Sequence, residues 1–137
     1  EQAWCASGLD AWVVRLSGLY GPGRVIGREL VLRGESLPGS ADDYLNLVHV
    51  DDAARAVLAT LVAPTPLRHA LISDGHAVRR GEYYAEVARR LGVSPPAFDG
   101  GGTRRGGSRR CDPRSSWAAL GLAPRFADFR AGLDDAW

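Results

Sequence analysis

The chain has no lysine and no methionine, only two cysteines, and a net charge of just +1. Each shortage excludes something. All 17 basic residues are Arg, a bias expected of a GC-rich genome, and a guanidinium barely titrates. No tyrosine–lysine acid–base pair can therefore be assembled from this sequence. A near-neutral surface offers no bulk attraction to a polyanion, so no nucleic-acid partner is expected. No apolar run approaches the ~20 residues of a membrane span, so no membrane partner is expected either. Cys5 and Cys111 lie far apart and in no metal-type spacing, which reads as reduced thiols in a cytoplasmic protein. The opening Glu1-Gln2-Ala3-Trp4 reads as mid-element, with no signal-peptide pattern.

What is present is room for one domain with a real core, since about 137 residues bury roughly 70% of their unfolded surface. The most informative stretch is Trp12 to Arg24. Trp12, Val13, Val14 and Leu16 form a short apolar run around Arg15, closed by Gly18, Gly21, Pro22 and Gly23. Such a run predicts a buried strand, Trp12 to Leu19, ending in a tight loop. Ligands bind at loops that follow the carboxyl ends of parallel strands.

Around it, residues 1 to 7 read as a helix end capped by Gly8. Val25 to Arg33 predicts a helix with Ile26, Leu30 and Arg33 on one face, closed by Gly34. Residues 35–44 read as loop, and Leu45 to Val50 as a short strand. Asp51 or Asp52 is then the candidate amino cap of a helix bearing an Ala54, Val57, Leu58, Leu61 stripe and ended by Pro64 and Pro66. His69 to Ser73 predicts a buried strand. Gly81 to Leu91 predicts a helix with Tyr84, Val87, Ala88 and Leu91 inward, ended by Gly92. Asp112-Pro113 starts a helix that faces Trp117 and Leu120 inward. In the last helix Phe129, Leu133 and Trp137 share a face. The alternation is an α/β pattern.

Three segments carry a resemblance. Arg15-Leu16-Ser17-Gly18-Leu19-Tyr20-Gly21-Pro22-Gly23-Arg24, then Val48-His49-Val50-Asp51-Asp52-Ala53-Ala54, then Ile72-Ser73-Asp74-Gly75 with Gly81-Glu82-Tyr83-Tyr84 stand in the order and spacing seen in the NAD-dependent epimerase/dehydratase family. This sequence resembles the carboxy-terminal portion of those extended short-chain dehydrogenase/reductases. The resemblance implies an α/β fold, the carboxy-terminal part of a Rossmann-type fold with the smaller substrate-binding subdomain. Residues 1–24 would hold the last Rossmann helix end, strand and nicotinamide-flanking loop, and 25–137 the substrate-binding portion. The family's glycine-rich phosphate loop and Tyr-x-x-x-Lys pair are absent. The resemblance therefore implies NAD or NADP in a full-length parent, no tight cofactor binding by this chain alone, and no catalytic residue here.

By the same resemblance Leu16 and Ser17 flank the nicotinamide. The substrate-side set is Gly18, Tyr20, Arg24, His49 and Arg110, facing a small molecule that is sugar-like or bears a phosphate or carboxylate; Arg24 reads equally as a bidentate grip on such an anion and as a surface residue. Gly18 stands where sugar-nucleotide members often carry Asn, a departure that argues against a nucleotide sugar. Gly21-Pro-Gly-Arg-Val-Ile-Gly27 imitates a dinucleotide loop, but Pro22 removes an N–H donor, and the substrate-side reading is preferred. Tyr20 reads as a packing residue whose hydroxyl finds a polar partner. His49 reads first as a hydrogen-bonded structural residue, with no metal site because neither His69 nor His76 stands at ligand spacing. The Gly/Arg stretch from Gly100 to Arg110 stays open between a substrate-contacting loop and a solvated linker. Two functional classes remain: part of an enzyme, inactive alone, or a non-catalytic binding or interaction module. Half a sheet leaves an edge and apolar helix faces uncovered, so self-association or a missing amino-terminal half is expected.

Overall fold

At Ser17 the central run changes neighbours. The computed structural model, which describes residues 1–8, 12–62, 69–101 and 108–137, divides the expected buried Trp12–Leu19 strand in two and leaves its first part only half-buried, with Leu16 exposed. In chain order the elements are α1 (Gln2–Cys5), β1 (Val13–Leu16), β2 (Gly18–Tyr20), α2 (Arg28–Leu32), β3 (Tyr44–Leu45), β4 (Leu47–His49) and α3 (Val50–Val62). They continue with β5 (His69–Ile72), β6 (Val78–Arg79), α4 (Arg80–Leu91), α5 (Arg114–Ala119) and α6 (Phe129–Ala136).

β1 runs parallel to β5, with Leu16 opposite Ile72. The Ser17 N–H still donates to the Ile72 carbonyl at 3.0 Å, but the Gly18 N–H donates to the Asn46 carbonyl at 2.9 Å. From there β2 runs parallel to β4. β3 and β6 close an antiparallel pair. This is a mixed α/β fold with parallel pairing, as expected. Gly18 eases the switch: a Cβ there would stand 3.1 Å from both the Asn46 carbonyl oxygen and Ile26 Cδ1, so one of them would have to give slightly.

Two apolar clusters result. One gathers Tyr20, Leu47, Tyr83, Phe129 and Leu133 between β2, β4, α4 and α6. The other gathers Val48, Ala53, Ala56, Ala70, Ile72 and Trp117 between α3, β5 and α5. Each fully buried large apolar side chain contributes about 2 kcal/mol by area. Periodicity placed Tyr84, Val87 and Ala88 inward on α4, and they are buried; Tyr83 is buried beside them. Gly92 ends that helix at φ +71°, the left-handed carboxyl cap glycine tolerates.

Several expectations are corrected. The Leu45–Val50 strand breaks at Asn46, and Val50 already belongs to α3. The second helix starts only at Arg28, so Ile26 precedes it, and its buried residue is Val31. Neither Asp51 nor Asp52 caps α3. The Asp51 N–H donates to His49 Nδ1 at 3.3 Å, while the buried Asp52 carboxylate turns away. It accepts from the backbone N–H groups of Arg125 and Phe126, at 2.8 and 2.9 Å, and from Arg55 Nη1 at 2.7 Å. The apolar stripe of α3 does not face the core: Leu58 is 64% exposed, Leu61 75% and Val62 81%, while Ala53, Ala56 and Thr60 are inside. Trp137 is half exposed, so the inward face of α6 ends at Leu133. Pro64 and Pro66 lie outside the described residues, as does the middle of the Gly/Arg stretch.

Candidate functional site

Where β1 and β2 part company, a cleft of about 650 Å³ opens. It lies at the carboxyl end of a parallel strand, where diverging backbones leave unfilled space. Leu16, Ser17, Gly18, Leu37 and Pro38 line it. Tyr44 and Asn46 supply the floor of the strand break, Arg80 and Tyr84 come from α4, and Arg109 and Cys111 come from the segment before α5. The Ser17 hydroxyl oxygen is buried without a hydrogen-bond partner.

Asn46 assembles this region, and no sequence motif marks it. Its Nδ2 donates to the Arg109 carbonyl at 2.9 Å, and its Oδ1 accepts from the Cys111 N–H at 2.7 Å. The Tyr44 N–H adds a bond to Ser108 Oγ at 2.8 Å. These ties bring a segment more than sixty residues downstream against the cleft. The guanidinium of Arg110 lies 5.4 Å from the Tyr44 ring centroid and that of Arg79 lies 5.0 Å from it. Arg109, rather than Arg110, lines the cleft; Arg110 borders a shallower hollow with His76 and Asp112.

The other substrate-side candidates are placed elsewhere. Arg24 Nε donates to the Leu19 carbonyl at 3.1 Å, stapling its own turn, and the side chain borders surface hollows near Trp137 and Val50. Tyr20 is wholly buried, and its hydroxyl has no hydrogen-bond partner, contrary to expectation. Burial pushes that phenol far above its ordinary range, with the Asp74 carboxylate adding to the shift. His49 is also wholly buried, its ring 4.0 Å from that of Phe126 and edge-on to Tyr20 at 5.3 Å. Of the seven candidate residues, Leu16, Ser17 and Gly18 meet in the cleft; the other four do not line it.

His49, Asp51 and Asp135 bring three ligand-type atoms within 4.8 Å of one another. His49 Nδ1 accepts the Asp51 N–H at 3.3 Å, so Nε2 is the ring nitrogen left to face the carboxylates. Nε2 sits 3.3 Å from Asp135 Oδ2, without the alignment of a hydrogen bond.

One carboxyl stands out beyond the cleft. Asp74, just past β5, is 6% exposed; its Oδ1 accepts from the His76 N–H at 2.9 Å, and its Oδ2 has no partner. Burial pushes it up to about 7, against the lowering effect of the His76 N–H. In the sequence it stands only within the Ile72-Ser73-Asp74-Gly75 segment, which says nothing about burial.

This architecture has counterparts. No family model matches the chain. Protein YeeZ of Escherichia coli K12 is 34% identical over 111 residues, which is 77% of this chain and 39% of YeeZ. The dTDP-glucose 4,6-dehydratase of Mycolicibacterium smegmatis is 31% identical, the match covering 98% of this chain and 44% of the dehydratase. The structure of MoeE5 in complex with UDP-glucuronic acid and NAD superposes with a TM-score of 0.69 at 28% identity, over 90% of this chain and 44% of MoeE5. The chain is a relative of the NAD-dependent epimerases and dehydratases. It spans less than half the length of the two curated proteins it matches here. Relatives of this family fold as Rossmann-type α/β proteins, and the parallel pairs β1–β5 and β2–β4 agree with that. No helix among the described residues is long and apolar enough to cross a membrane.

Proposed function

We propose that this chain is the substrate-binding, carboxy-terminal part of an NAD(P)-dependent epimerase, dehydratase or reductase, silent by itself. The observation that carries this reading is the cleft at the β1–β2 switch, where Leu16 and Ser17 stand at a parallel strand's carboxyl end and Gly18 forms the adjoining wall. Residues 1–24 would present Leu16 and Ser17 to the nicotinamide of NAD or NADP; residues 25–137 would wall the substrate. The cofactor supplies hydride transfer when bound. This chain's residues position the substrate and exclude water from it. General acid–base chemistry needs a positioned titratable group, and the family's Tyr–Lys pair is absent here.

The exposed Leu58, Leu61 and Val62 on α3 support a companion surface, whether an amino-terminal half or a second copy. That same surface favours the second reading, a non-catalytic interaction module built on this fold. Expressing the chain with and without a family amino-terminal half that bears the glycine loop and Tyr-x-x-x-Lys separates the readings. NAD(P)H-dependent turnover only in the pair supports the enzyme part. Stable binding without turnover supports the module, and turnover by the chain alone overturns the claim of silence.

A further inference from the structure

Arg80, the first residue of α4, is 3% exposed and forms no ion pair with any described carboxylate. Its hydrogen bonds run from Nη1 alone, to the Pro38 carbonyl at 2.6 Å and the Ser40 carbonyl at 3.3 Å. Its guanidinium carbon lies 5.8 Å from the Tyr84 ring centroid and 5.1 Å from that of Phe98. Gly39, at φ +88°, lets the loop close around it, since a Cβ there would stand 2.8 Å from Nη1. The group is thus fixed by two carbonyls and two rings.

What remains is one edge. Nε is buried without a partner, and Nη2 makes no hydrogen bond. Two parallel N–H donors on a guanidinium edge match the two oxygens of a carboxylate or phosphate. A buried cation that no carboxylate contacts directly is costly, yet this one is built into the cleft wall, with Arg109, unpaired among the described residues, on the same cavity. The nearby Asp99 carboxylate attracts Arg80 through space but makes no hydrogen bond to it; its Oδ1 accepts from the N–H groups of Gly39 and Gly101, both at 2.8 Å, and these bonds, with Arg80 adding, hold its pKa down. Asp43 also lines the cleft but makes no hydrogen bond to Arg80 through its carboxylate.

We propose that the Nε–Nη2 edge of Arg80 anchors a two-oxygen anionic group, carboxylate or phosphate, on the molecule that enters this cleft. The proposal rests on reading the cleft as the substrate pocket. It names a specificity residue that the sequence resemblance did not supply.

The test follows the Arg Nε–H resonances of the protein by NMR during titration with inorganic phosphate and, separately, acetate, against chloride at equal ionic strength. The Arg80 resonance should shift saturably with one or both probes. Saturation by phosphate alone identifies a phosphorylated group, and by acetate alone a carboxylate. In Arg80→Lys, which keeps the charge and loses the fork, affinity should fall at least about tenfold. Should that variant not fold, through-bond assignment of the wild-type resonance still decides the matter. The absence of a saturable shift, or equal affinity in a folded Arg80→Lys, overturns the proposal. So does a resonance that moves as far in probe-free Asp43→Asn as phosphate moves it in wild type, for the edge would then belong to Asp43. No cofactor enters the measurement, so its failure and a failure of hydride transfer remain distinguishable.

Discussion

The Tyr20 hydroxyl occupies the space that a Cβ on Gly132 would need, so β2 and α6 touch through a ring and a bare backbone. Gly132→Ala should destabilise the protein by about 3 kcal/mol, near the upper end for overpacking a core. Tyr20→Phe alone should change stability by less than about 1 kcal/mol, because the hydroxyl it deletes has no partner. Combined, the two should cost less than their sum, although the ring carbons still crowd residue 132. Urea unfolding of the two single variants and the double variant measures this coupling.

Asp74 sets a pH dependence opposite in sign to that of a salt-bridged carboxylate. Its folded value of about 7 lies above the ordinary 3.8, so between these values the folded state holds the proton more tightly. Stability from this group is fully present below about pH 4 and is lost as pH rises towards 7. Asp74→Asn should therefore stabilise the protein at pH 8, on the order of 2–3 kcal/mol, and flatten its profile between pH 4 and 7. Thermal melts across that range check both, and an unchanged slope in the variant contradicts the assignment.

Asp52 ties the start of α3 to the chain at Arg125 and Phe126. Asp52→Ala strands two backbone donors and frees Arg55, at an expected cost of about 3 kcal/mol. Asp52→Asn should cost less, since its amide oxygen can still accept one bond. Hydrogen exchange should show the Arg125 and Phe126 amides losing protection in the alanine variant, while the α4 amides keep theirs.

The exposed stripe on α3 predicts association without a large effect on the fold. Leu58→Asp with Leu61→Asp should change unfolding free energy by under about 1 kcal/mol, because both positions already face solvent. The double variant should nonetheless sediment as a smaller species than wild type at the same concentration. Identical sedimentation, both species monomeric, would remove self-association as the role of this face.

The sequence by itself determined the elements whose causes are local. Residue order carries the apolar run of β1, the 3.6-residue spacing that buries Tyr84, Val87 and Ala88, and the glycine that ends α4. These depend on backbone preferences and side-chain periodicity within a dozen residues. It also determined that no tyrosine–lysine pair could be present, and its motifs pointed to Leu16, Ser17 and Gly18, which the cleft brings together.

Only the tertiary structure decided the rest. Periodicity revealed a stripe on α3 but not what lies opposite it, so Leu58 and Leu61 were expected inside and stand outside. Asp52 met the local rule for a helix cap and was claimed instead by donors seventy residues away. The strand break at Ser17 depends on partners at Ile72 and Asn46, and Arg80 gained its fixed guanidinium from a loop forty residues earlier. Burial and hydrogen-bond competition are settled by whichever groups arrive in space, and spacing along the chain does not carry that information.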